Sequence, residues 1–381
     1  MVYSRSSTAH GFVICGGING KTIMKQSALS GRLTILAGLI AGCALQAQAA
    51  QQNAFRETDL AADQAGMAKF TDANLVNPWG FLFKEDKLIV ADNHSGVATA
   101  YNPAGHPSRL LINIPTPGAG GGPGAPTDVA LNSTPKTFMT SSAGRSRAST
   151  LLFVTENGTI AGWNAALDAS NAVIAVDNSA AGAIYKSAAL AKTSYGPRLY
   201  AADFGRGTVE IYDKMFLLQK SFTDPDLASA GFAPFGIRNF GTNLLVTFAF
   251  KANPGDGDET PGPGLGYVDE FDRDGNMVRR LASQGTLNAP WGLSKAPRNF
   301  GKFSGALLVG NFGDGAINAY DPRSGAFLGQ LNDAQGAVLH IEGLWGLAVG
   351  PGNESPFLYF TAGPGDESHG VLGILRPASK H

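Results

Sequence analysis

The chain carries little charge and almost no sulfur. Of its 381 residues only 15% are charged, and 29 basic residues nearly cancel 30 acidic ones. Without a basic stripe to follow phosphates, nucleic acid is not an expected partner. The two cysteines, Cys15 and Cys43, both precede residue 50, so the chain beyond that point has no disulfide, Cys-ligated zinc or cysteine nucleophile. Beyond the first fifty residues no apolar run approaches the roughly 20 residues that a membrane-spanning helix needs. No Gly-x-Ser-x-Gly elbow, phosphate-cradling loop or dinucleotide fingerprint occurs in the strand–turn–helix context it requires. Glycine and proline, by contrast, are plentiful at 50 and 21 residues, and without a Gly-X-Y period they point to an all-β chain rich in turns.

The first 49 residues read as an export signal. Lys25 and Arg32 supply positive charge, Leu33 to Leu45 is an apolar core, and Ala47-Gln48-Ala49 is a small-x-small cleavage site. Met24, followed at once by Lys25, is an alternative start. The expectation is a signal peptide over 1–49 and a single exported domain over 50–381, periplasmic or extracellular and monomeric. Ile40-Ala41-Gly42-Cys43 also resembles a lipobox, so the alternative is a lipoprotein anchored through Cys43.

A repeated phrase sets the fold class. Asn77-Pro78-Trp79-Gly80-Phe81, Ala233-Pro234-Phe235-Gly236-Ile237, Ala289-Pro290-Trp291-Gly292-Leu293 and Gly343-Leu344-Trp345-Gly346-Leu347 are copies of one motif. Strand pairs follow each copy. Leu88 to Asp92 turns into Val97 to Asn102, Leu199 to Asp203 into Thr208 to Asp213, and Leu307 to Asn311 into Ala316 to Asp321. Alternating apolar residues suit strands packed between neighbours, and glycine supplies the positive φ of tight hairpins. Asp92, Asp203, Asn311 and Asp314 are expected to brace turns rather than to catalyse.

A recurrence of roughly 45 to 60 residues is that of a β-propeller. Six four-stranded antiparallel blades are expected, over about 75–114, 124–178, 182–224, 230–284, 286–332 and 340–377. The third opens on the divergent Tyr185-Lys186-Ser187. Phe55 to Leu60 is left over, and it is expected to close the ring as the outer strand of the last blade. Two loops interrupt the pattern, 115–126 and 253–264, and long loops on a propeller rim often carry function.

These phrases, with Phe360–Gly370, resemble the six-bladed propellers of the NHL and gluconolactonase-like class. More closely, they resemble a family of uncharacterised exported bacterial proteins, some with a PEP-type C-terminal sorting tail. Here the chain ends Leu375-Arg376-Pro377-Ala378-Ser379-Lys380-His381, without such a tail. The resemblance spans the mature chain and implies a fold but no established activity.

Two stretches are chemically dense. Asp366, Glu367 and His369 lie in a Gly-rich turn, and Asp256, Asp258 and Glu259 lie in the second long loop. Oxygen and nitrogen donors of this kind suit a divalent cation, although the same residues serve equally to cap a hairpin or to face solvent. His94, and His340 with Glu342, sit near strand ends. Trp79, Trp291, Trp345 and Phe235 are expected to pack between blades rather than to stack a sugar. The expected function is a binding or scaffold domain for a small molecule, glycan or protein. The alternative is a metal-dependent lactonase, hydrolase or lyase, and whether the protein is an enzyme stays open.

Overall fold

The computed structural model describes residues 53–118, 122–350, 352 and 356–378. The candidate export signal, its cleavage site and Cys43 lie outside the described residues. Among the described residues no helix is long and apolar enough to cross a membrane.

Six four-stranded antiparallel sheets form the blades of a propeller, as the repeat implies. Their innermost strands are Pro78–Lys84, Pro126–Leu131, Tyr185–Thr193, Phe232–Phe240, Pro290–Lys295 and Leu344–Val349. Each inner strand touches those of the two flanking blades, so the six make a closed ring. In the sixth blade the fourth strand is Phe55–Ala62, which pairs antiparallel with Val371–Pro377, and the two-residue Phe70–Thr71 adds parallel at its outer edge. The expected ring closure by the N-terminal strand is therefore observed. A hairpin, Met139–Ser142 with Arg145–Ala148, is inserted in the second blade; its polar sequence gives no apolar alternation to read.

Six apolar cores lie between successive blades. Phe55, Phe300, Phe303, Leu344 and Phe360, for example, share the core between blades five and six. Removing such side chains from water contributes about 1.5–3 kcal/mol each, spread evenly around the ring. A seventh core lies elsewhere, with Trp79, Phe204, Phe235, Trp291 and Trp345 clustered together. Trp79 stacks on Trp345 with ring centroids 3.5 Å apart, and Trp291 meets both edge-on. These aromatics come from blades one, three, four, five and six, so they plug the central channel instead of filling one inter-blade gap.

The glycine of the repeated phrase is explained by that crowding. A Cβ on Gly292 would lie 2.6 Å from the Trp345 carbonyl oxygen, and one on Gly346 would lie 2.6 Å from that of Trp79. At these two positions successive inner strands run too close for a side chain.

Candidate functional site at the channel mouth

The strand register makes the inner-strand openings comparable. Pro78 pairs with Asp92, Pro126 with Thr155, Tyr185 with Asp203, Pro290 with Asn311 and Leu344 with Ala362. The next residue in each blade is therefore equivalent, giving Trp79, Thr127, Lys186, Phe235, Trp291 and Trp345. Four are aromatic, and in blade three a lysine takes the place. The third residue changes in the same sector, where Asp128 and Ser187 replace glycine. The Asp128 carboxylate accepts from the Ser187 hydroxyl at 2.7 Å and from the Ala188 amide at 3.0 Å.

Lys186 is 1% exposed. Its ammonium lies 2.6 Å from Glu156, 2.9 Å from Asp258, and 5.1 Å from the Trp79 ring centre. Glu156 reaches this point from the turn after the second strand of blade two. There its amide donates to Ala125 O, as Asn93 does to Asn77 O, Phe204 to Ile184 O, Phe312 to Ala289 O and Gly363 to Gly343 O. One repeated backbone bond thus places a residue from each of five blades at the same rim. Asp258 and Glu259 come from the long loop of blade four, and Glu367 from the last hairpin of blade six.

Together these residues line a cavity of about 580 Å3 at one end of the channel. Its walls are Trp79, His94, Glu156, Ile184, Lys186, Gly257, Asp258, Glu259, Phe312, Trp345 and Glu367. Glu156 also accepts from the Asn93 amide at 2.9 Å, and Glu367 from that of Asn77 at 2.6 Å, with His94 3.8 Å away.

Four carboxylates share this cavity with one ammonium. Burial alone would push the Lys186 ammonium down, but Glu156, Glu259 and Asp258 outweigh it and hold it above the ordinary lysine value. Lys186 is thus a fixed cation, unsuited to act as a nucleophile or base. Burial pushes Glu259 up to about 7, against Lys186 and with help from Asp258 and Glu367. Glu367 is also raised by burial, against its hydrogen bond from Asn77. The mouth therefore holds a permanent positive charge and, in Glu259, a carboxyl able to exchange a proton near neutrality.

Of the residues singled out in the sequence, Asp258, Glu259 and Glu367 meet in this cavity. Asp256 instead accepts from Asn253 in its own loop. Asp366 lines a neighbouring cleft with Glu342, where the Glu342 carboxylate accepts from Gly365 N at 2.9 Å. His369 is turned to Asp63 at 3.0 Å and to Gln64, and His340 to Asp314 O. Asp203, Asn311 and Asp314 brace turns as expected, Asp203 accepting from Ile184 N and Arg206 N, whereas the Asp92 carboxylate accepts from the Thr99 hydroxyl on the neighbouring strand. Among the described residues no group of three or more His, Cys, Asp or Glu side chains is disposed to hold a metal ion. Glu156 and Lys186 were not singled out as site residues. The signal for Lys186 was its break with the aromatic repeat, and that for Glu156 its place one residue past a strand end equivalent to Asp92.

No family model matches the chain. Uncharacterised protein L690 of Acanthamoeba polyphaga mimivirus is 32% identical over 316 residues, covering 81% of this chain and 82% of that protein. Uncharacterised protein R640 of the same virus is 33% identical over 281 residues, 72% of this chain, and the chain spans only about half (51%) of its length. Among solved structures, a Bacteroides thetaiotaomicron protein of unknown function aligns with TM-score 0.52 and 9% identity, over 85% of this chain and 76% of its own. A streptogramin B lyase aligns with TM-score 0.50 and 12% identity, over 85% and 98%. At such identities the structural likeness is one of fold. With L690 matched at 32% identity over most of both chains, this six-bladed β-propeller belongs to the same protein family as the mimivirus protein.

Proposed function

We propose that the protein is an exported binding propeller that takes a small polar ligand at the channel mouth, in the cavity above the Trp79–Trp345 stack. The observation that carries this reading is Lys186, a buried charge placed where four other blades use an aromatic ring. Burying an ammonium costs several kcal/mol unless carboxylates compensate, and an aromatic would close the plug without that cost. The charge and its carboxylates are best explained by a ligand that they recognise. The cavity falls within the roughly 300–1,000 Å3 of small-molecule sites.

The test is a screen of small sugars, amines, acids and polyols, read by thermal shift and by tryptophan fluorescence. Compounds that bind should lose their effect in a folded Lys186→Met variant. If none acts, or if every effect survives that change, the reading fails.

Carboxylates at a channel mouth are also what a metal-dependent hydrolase or lyase would use. That reading ranks second because the Lys186 ammonium stands between Glu156 and Asp258, where an ion would have to compete with it. Elemental analysis of protein dialysed without chelator tests it. A near-stoichiometric divalent metal, lost on Glu367→Gln, would place it first.

A further inference from the structure

We infer that the ligand of the channel mouth is an amine bearing neighbouring hydroxyls, an amino sugar or amino alcohol, whose ammonium is held by Glu259 and Glu367. This deepens the binding reading and rests on it. Lys186 bonds Glu156 and Asp258. Among the described residues, no lysine or arginine forms an ion pair with either Glu259 or Glu367, and His94 stands 3.8 Å from the latter. The wall thus carries four carboxylates against one fixed cation.

The chain itself displays the recognition that this wall offers. Lys186 is an ammonium held by two carboxylates beside the Trp79 ring, and Glu259 and Glu367 present two further carboxylates in the same cavity, which Trp79 and Phe312 also line. Charge-assisted bonds of this kind are the strong ones, and aromatic faces favour cations. An independent observation concerns Trp79, which is 2% exposed and forms part of the wall. Among the described residues its indole N–H has no acceptor, and an unpaired buried donor costs about 1–3 kcal/mol. A hydroxyl beside the amine supplies an acceptor that a bare alkylamine lacks. A neutral polyol would leave the surplus carboxylates uncompensated, and an anion would be repelled by them.

The proposal also fixes a pH dependence. Glu259 faces Asp258, Lys186 and Glu367, and Glu367 faces Glu156, His94 and Lys186. Both acids are raised by burial, so the ionised pair that holds an ammonium is present in full only above neutrality. An amine therefore releases protons on binding and binds less tightly at pH 5.5 than at pH 8.

Titration calorimetry with glucamine, its neutral counterpart sorbitol and the acid gluconate tests the inference. The expected result at pH 8 is at least tenfold tighter binding of glucamine than of either control, with proton uptake by the buffer appearing as the pH is lowered to 7 and below. That preference should vanish in Glu259→Gln with Glu367→Gln. Should the double variant not fold, Glu259→Gln alone, on an exposed loop, should reduce it severalfold. Sorbitol or gluconate binding as well as glucamine would overturn the amine inference and leave the binding site intact. No binding by the three, alongside hits of other chemistry in the screen, would overturn it equally, whereas silence in both experiments would remove the site itself.

Discussion

Lys186 occupies in the third blade the position that Trp345 occupies in the sixth, so one ring of equivalent residues holds both the plug of the channel and its charge. The substitution is local in sequence but collective in effect. It draws Glu156 from blade two and Asp258 from blade four onto one point, and it ties a long loop to the axis.

Removing that cation should be costly. Lys186→Met leaves Glu156 partly buried without its ammonium, and breaking a buried pair costs about 3–5 kcal/mol. Because Asp258 is well exposed, its share is small and the lower end, about 3 kcal/mol, is expected by chemical denaturation at pH 8. The loss should shrink at pH 5, where raised carboxyls such as Glu259 are protonated and need no partner. A pH-independent loss would mean that the lysine does not act through the raised carboxyls.

Glu259 should make the fold weaken as the solution turns alkaline. Its carboxyl rises from an ordinary 4.5 to about 7 on folding, so the folded chain holds that proton more tightly than the unfolded one. The associated stability is present in full below about pH 4.5 and is lost as pH rises through about 7. Glu259→Gln keeps a neutral side chain at every pH. It should match the parent at pH 5 and exceed it by about 2 kcal/mol at pH 8, an upper value given the group's partial exposure. Equal stabilities at both pH values would show that the carboxyl is not held up by burial.

The glycines of the repeated phrase should tolerate no side chain. Gly292→Ala places a methyl 2.6 Å from the Trp345 carbonyl and 3.0 Å from Leu347 Cγ, in backbone that cannot move without opening the ring. Overpacking of this kind costs about 1–3 kcal/mol, read as a fall of several degrees in Tm. Gly336→Ala, with no atom within 4 Å of its would-be Cβ but with φ at +87°, should cost less, about 1 kcal/mol from conformation alone.

The fold was open to sequence reasoning because Pro-Trp-Gly and its relatives mark four of the six inner strands locally, and because Phe55 to Leu60 had no partner before the first blade. The site was open only in part. Asp258, Glu259 and Glu367 stand on loops whose acidity is visible, but their convergence depends on the radial arrangement of blades four and six. Lys186 read as a divergent blade opening, since a break in a repeat does not announce whether it weakens packing or builds a site. Asp256 and His369 belonged to the same acidic stretches, yet hydrogen bonds to Asn253 and to Asp63 and Gln64 turn them elsewhere.

Ring closure should depend on the first strand. Phe55 is 1% exposed and packs on Phe300 at 4.6 Å and Phe303 at 6.2 Å between ring centres, joining the strand that completes blade six to the core of blade five. Phe55→Ala removes a buried ring and leaves a cavity that Phe300 fills poorly, a loss of about 3–5 kcal/mol. Seven of the strand's eight residues still pair with Val371–Pro377 through their backbone, so the variant should fold and melt earlier. Deleting residues through Ala62 removes the pairing too and bares Val371–Pro377 as an unpaired edge, which invites association between copies. Light scattering should therefore find aggregation in the deletion and not in Phe55→Ala. A deletion with no added scattering and an unchanged melting point would show that the ring closes through side-chain packing without its N-terminal strand.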